Sequence, residues 1–243
     1  MTFYLKTISY FVQDIKLRRK VIYSVLIFIN VIMLISILPG NSLVLTKWHS
    51  TKDFILLFRY EFFHVPIFII ILGSLTTIND WILLRRYSSR EQIANHNIVS
   101  VIMLSSIFTF TMVIAGSIYT SIVRIIPENV NYTALFLYEA IADQESSFVY
   151  FIYVYIFLTT IVGLSFIALQ NIIKNDIVSA AIIITLVIGD RFIYSIIPYL
   201  IYISEFQSPW ISFLILVSVL IILFNLVQFT TNNKNFYVRD EKL

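Results

Sequence analysis

The 243-residue chain contains no cysteine, which excludes disulfides, thiolate metal sites and a cysteine nucleophile. Charge is scarce: Asp, Glu, Lys and Arg make up 13% of residues, about half the roughly 25% of a soluble domain. Catalytic signatures are missing too. There is no Gly-x-Ser-x-Gly elbow, no His-Glu-x-x-His zinc motif and no adjacent Glu-Glu pair. Nor is there a Gly-x-x-x-x-Gly-Lys-Ser/Thr loop to cradle phosphates, so the chain lacks that route to ATP hydrolysis. His49, His64 and His96 fall in separate segments and do not predict a shared metal. These gaps argue against an enzyme and leave transport or scaffolding.

Apolar residues dominate instead. They form 59% of the chain, with a mean hydropathy of +0.88. A single soluble core of this size leaves too much surface exposed to hide so many of them. The net charge of +3 is no sign of nucleic-acid binding, because the basic residues gather at the ends of apolar runs, as the positive-inside rule expects.

A helix needs about 20 residues to cross a hydrocarbon core of roughly 30 Å. Runs near that length occupy 21–38, 65–84, 98–123, 148–169 and 210–229, and a sixth begins at Ile177. They lack the period-2 alternation of barrel strands, so they predict helices. The first run follows Lys16, Arg18, Arg19 and Lys20. No small-x-small cleavage site comes after it, so it reads as a retained span and not as a signal peptide. The expected fold is an all-α, polytopic, six-span membrane protein. Most Lys and Arg residues then lie on the side of the two termini, which predicts both termini in the cytoplasm.

Residues 1–20 repeat apolar positions at helical spacing (Leu5, Ile8, Phe11, Val12 and Ile15), predicting an amphipathic helix in the cytoplasmic interface. The six-span domain then covers 21–229 and a cytoplasmic tail 230–243. Loop 85–97 offers two capping patterns, Ser88 with Glu91 and Ser89 with Gln92, and predicts a short inner helix ending near 95–97. Its charged surface is either a solvated turn or a docking site. The opposite loop, 124–147, carries Glu128, Glu139, Asp143 and Glu145, a candidate surface helix at 133–141 and a weak glycosylation match at Asn131-Tyr132-Thr133.

Charges at membrane depth cost about 2.5–3.5 kcal/mol each. Asp190 and Arg191 interrupt the sixth run, with Gly189 before them and Pro198 after. Either a long tilted helix carries the charges, or the helix breaks at Gly189 into a re-entrant segment over 190–209; the second is favoured. Asn79 and Asp80 sit at interface depth beside Trp81 and Arg85. Ser105, Thr109, Met112, Gly116 and Thr120 share one helical face, suited to close helix packing or to lining a pathway. Tyr150, Tyr153 and Tyr155 fit an aromatic belt, or contacts to an amphipathic cargo.

Taken with the sequence Arg85-Arg86-Tyr87-Ser88-Ser89-Arg90-Glu91-Gln92, this order of segments resembles an ABC-2 type exporter permease. The similarity is one of topology over nearly the whole chain, and the loop is similar to the family's coupling-helix region. The resemblance implies a complex of two permease subunits, the same or homologous, with cytosolic ABC ATPases that carry the ATP and Mg; no cofactor is expected on this chain. It implies that Ser88, Ser89, Arg90, Glu91 and Gln92 couple to the ATPase. It also makes Gly189, Asp190, Arg191 and Pro198 part of an outer gate, and Ser105, Thr109, Thr120, Tyr150 and Tyr153 candidates for the pathway. The implied cargo is an amphipathic peptide, drug or lipid-like molecule leaving a bacterial plasma membrane, and the style resembles small Gram-positive permeases, including exporters of phenol-soluble modulins or bacteriocins. The rival expectation is a non-transporting membrane scaffold or toxin-immunity protein.

Overall fold

The computed structural model describes residues 2–37, 60–76, 85–123, 148–193, 196–197 and 209–234. All regular elements among them are helical. Helix α1 spans Thr2–Ile37. A wide π-helical turn, Tyr60–His64, leads into α2, Val65–Thr76. Helices α3 (Arg90–Val123), α4 (Phe148–Ile173), α5 (Asp176–Ile193) and α6 (Pro209–Asn232) follow.

Local chemistry sets several boundaries. Pro66 has no N–H to donate to the carbonyl four residues back, and the helix widens just before it. Ser89 caps α3: its Oγ accepts from the Gln92 amide at 3.2 Å, while the Gln92 side chain accepts from the Ser88 amide at 3.2 Å. Of the two capping patterns, the Ser89 and Gln92 pair is the one that forms. Lys174 leaves α4 in the left-handed region, φ 58°. The next residue, Asn175, caps α5 through Oδ1, which accepts from the amides of Ile177 (3.1 Å) and Val178 (3.2 Å). Two residues thus reverse the chain.

Three expected boundaries differ from those observed. The segment 2–20 and the first apolar run form one unbroken helix, α1. Its face toward the bundle is Thr7, Phe11 and Asp14, whereas Leu5, Ile8 and Val12 stay exposed. The short helix expected to end at 95–97 does not end there; α3 continues to Val123, with no proline or glycine before Gly116 to interrupt it. The break expected at Gly189 is also absent. Helix α5 runs through Gly189, Asp190 and Arg191 to Ile193, and a single helical glycine costs only about 1 kcal/mol relative to alanine.

Helices α2 to α6 alternate in direction. The start of α3 meets the end of α6 through Arg90 and the Asn232 carbonyl. At that same end, Asn171 near the close of α4 donates to Thr231 of α6 at 3.0 Å. The opposite end joins the turn before α2 to the close of α5. Helix α4 packs against α2, α3, α5 and α6, and α1 lies against α2 and α3. Gly163 marks a close crossing of α4 with α2 and α3. A Cβ there would lie 2.7 Å from Val101 Cγ1, 3.1 Å from Phe68 Cε1 and 3.3 Å from Leu72 Cδ2.

Three helices among the described residues are long and apolar enough to cross a membrane: Arg90–Ile118, Phe151–Ile173 and Trp210–Asn232. Tyr60–Thr76 is apolar but shorter. Only 22% of the apolar window in α6 is buried, and Ile211, Leu214, Ile222 and Phe229 face outward. Exposed apolar side chains of this kind suit lipid better than water. The expected features at Asn79 and Asp80, in loop 124–147, at Pro198 and beyond residue 234 lie outside the described residues.

Candidate functional site

A polar junction forms where α1 meets the chain entering α3. Asp14, 3% exposed, comes from the inward face of α1, and Arg86 precedes the α3 cap. Arg86 Nη1 donates to Asp14 Oδ1 at 2.8 Å. The guanidinium also lies 5.0 Å from the centre of the Tyr10 ring, within cation–π range. Tyr10 meets Tyr87 edge-on at 5.7 Å. Tyr87 in turn shares a 2.9 Å hydrogen bond with His96 Nδ1 on α3. His96 Nε2 stands 3.9 Å from Asp14 Oδ2, which brings the network back to α1.

Burial dominates the electrostatics here. It pushes the Asp14 carboxyl above its usual range, and the hydrogen bond and charge of Arg86, then the charge of Arg18, only partly reverse this. It also pushes the Tyr87 hydroxyl up to about 12, against a lowering hydrogen bond from Thr7. Tyr87 therefore keeps its proton at neutral pH and has a hydrogen to donate.

Beside this junction the chain turns outward. Ser88, Ser89, Arg90 and Glu91 are exposed, and Gln92 is half-buried. The turn is nevertheless held firmly: the Ser89 and Gln92 caps fix it at its base, and Arg90 reaches across to the last carbonyl of α6. The five sequence-predicted coupling residues thus form one short surface feature tied to α1, α3 and α6. Chemically, it offers hydroxyls and one charge of each sign to a polar partner.

At the opposite end, the predicted gate residues separate. Asp190 accepts from the backbone amides of Ile196 (3.1 Å) and Ile197 (2.8 Å), so its carboxylate serves the chain just beyond α5. Arg191 reaches Glu61 Oε1 at 3.4 Å, with Glu61 only 2% exposed. The neighbouring pair Asp190 and Arg191 therefore point to different partners, as expected for adjacent helical positions. Among the described residues, a Cβ at Gly189 would meet nothing within 4 Å. Nearby, His64 Nδ1 and the Tyr155 hydroxyl lie 2.7 Å apart, both fully buried, and Tyr60 meets Tyr155 edge-on at 5.2 Å.

Three of the pathway candidates, Ser105, Thr109 and Tyr153, have described side chains. Ser105 and Thr109 are buried in the packed bundle, where the Thr109 hydroxyl donates to the Ser105 carbonyl at 2.8 Å. Tyr153 stacks edge-on with Phe157 and Phe213 at 5.9 and 6.1 Å. Thr120 and Tyr150 lie on helices α3 and α4, with side chains outside the described set. Among the described residues, no three His, Asp or Glu side chains form a metal-sized cluster.

Glu61 and His96 do not stand out in the sequence as site residues, and Arg86 and Tyr87, inside the stretch 85–92 that carries the resemblance, are given no role by it. Asp14 does carry a signal: it is the sole acid among the first 20 residues, set among five basic ones. Searches against known protein families, curated proteins and solved structures give no match.

Proposed function

We propose that this chain is the permease subunit of an ATP-binding cassette exporter, working with a second permease copy or homologue and with cytosolic ATPases. The observation that carries the reading is the exposed turn at 88–91. It is capped at its base and joined to α1 through Arg86 and Asp14, and to α6 through Arg90. A surface knob fixed to three helices passes a push or pull to all of them, which is what coupling to a separate motor requires. The chain lacks a phosphate-binding loop of its own, so the motor belongs to another subunit.

In this reading the chain spans the bacterial plasma membrane six times, with both termini and the turn on the cytosolic side. The exposed stripe of Leu5, Ile8 and Val12 on α1 rests in the interface, and the exposed Lys16, Arg18, Arg19 and Lys20 sit among lipid headgroups. Glu61, Asp190 and Arg191 then belong to the outer end, at the proposed gate. The cargo is an amphipathic peptide, drug or lipid-like molecule.

The test is purification of the full-length protein from its native membranes in mild detergent. An ATPase that co-purifies, and leaves when Arg90 and Glu91 are both replaced by alanine, supports the exporter. A chain that purifies without any ATPase and assembles other membrane proteins supports the scaffold or immunity reading instead.

A further inference from the structure

A small pocket, about the size of a single water, opens between α1, α2 and α3 beside the Asp14 junction. Its polar lining is Asp14, Thr76, His96, Asn97 and Ser100. Phe11 and Leu75 close the remaining walls. Two features of this lining are incomplete as protein alone. Asp14 Oδ2 and His96 Nε2 face each other at 3.9 Å, beyond direct hydrogen-bond reach. The Ser100 hydroxyl, on a residue 5% exposed, has no hydrogen-bond partner among the described residues. A buried hydroxyl left in that state costs about 1–3 kcal/mol.

We propose that an ordered water binds here and bridges Asp14 Oδ2, His96 Nε2 and Ser100 Oγ. The donor and acceptor roles balance. With Tyr87 as the donor to His96 Nδ1, the ring hydrogen sits on Nε2, facing the carboxylate. The water accepts from His96 Nε2 and from the Ser100 hydroxyl, and donates to Asp14 Oδ2. Its second hydrogen is available to Thr76, whose own hydroxyl hydrogen is directed to the Leu72 carbonyl at 3.0 Å, leaving oxygen lone pairs free to accept. A pocket of this size with three or four polar partners meets the requirements of a structural water. The site joins three helices through one small molecule and does not depend on the transport reading.

Solid-state NMR of the full-length protein in lipid bilayers, with isotope-labelled histidine and magnetisation transferred from water, tests the site. The expected result is a water signal at the His96 Nε2 position, identified by its disappearance in His96→Gln. That signal is lost in Ser100→Val, where added methyl groups fill the pocket. Absence of water transfer in the wild type overturns the proposal, as does an unchanged signal in folded Ser100→Val. If Ser100→Val does not fold, a high-resolution structure of the wild type decides. A water peak within hydrogen-bond distance of all three atoms supports the site. A dry pocket, a direct Asp14–His96 bond or a bound metal cation overturns it.

Discussion

Arg86 and Asp14 are 72 residues apart in sequence, yet their side chains meet at 2.8 Å with the carboxylate almost fully buried. This ion pair ties α1 directly to the chain that enters α3. Removing one partner of a buried pair leaves an uncompensated charge, whereas removing both does not. Arg86→Met is therefore expected to destabilise the protein by about 3 kcal/mol. In an Asp14→Asn background the same change costs much less. Chemical denaturation in detergent micelles measures both; equal costs in the two backgrounds would rule out the coupling.

The same carboxylate gives a pH dependence. Burial raises the folded-state Asp14 above its usual value of 3.8. The native form therefore holds the proton more tightly than the unfolded chain. Its contribution to stability is present below 3.8 and is lost as pH rises through the folded value. Asp14→Asn removes that titration. Wild-type stability should fall relative to the variant as pH is raised from 3.8, then level off. A difference that stays flat, or runs the other way, contradicts the burial argument.

Gly163 is held to its size by the crossing of α2, α3 and α4. Alanine has better helix propensity by about 1 kcal/mol, but its Cβ would meet Val101 Cγ1 at 2.7 Å. Valine is stiff at χ1 and cannot swing aside easily. Overpacking of this kind costs about 1–3 kcal/mol, so the clash outweighs the propensity. Gly163→Ala is expected to lower the melting temperature, and adding Val101→Ala to recover much of the loss. A melting temperature unchanged by Gly163→Ala would mean the helices separate readily at this point.

Lys174 adopts a conformation that L side chains disfavour by roughly 1–2 kcal/mol, at φ 58°. Lys174→Gly relieves that cost while adding some freedom to the unfolded chain, and the relief is the larger effect. The variant should melt higher than the wild type, and β-branched Lys174→Val lower. The reverse order would show that the turn relaxes away from the left-handed region.

Sequence patterns locate the long helices because apolar composition and helical continuity are local properties. The runs at 98–123, 148–169 and 210–229 fall within α3, α4 and α6, and the Ser89 cap sits at the start of α3. Boundaries inside a helix are harder to read. Gly189 suggests a break, but its cost in a helix is small, and Asp190 satisfies the amides of Ile196 and Ile197 without ending α5. The inward face of α1 is only partly legible in the sequence, for a different reason. Of the expected stripe, Phe11 is buried in the bundle and Ile15 packs against its core, while Leu5, Ile8 and Val12 are exposed; Thr7 and Asp14 join the bundle side because their partners lie far along the chain. The networks around Asp14, Glu61 and His96 depend on such distant meetings, for which spacing gives no signal.

The exporter reading rests on the turn at 88–91 facing the cytosol and being gripped there by a motor subunit. The absence of native cysteine makes this directly testable, because Glu91→Cys introduces the sole thiol at an exposed position. The account predicts that a membrane-impermeant maleimide labels this site only after cells are opened. It also predicts that a short bifunctional crosslinker then joins the site to a cytosolic ATPase. Labelling of Glu91→Cys from outside intact cells would contradict it.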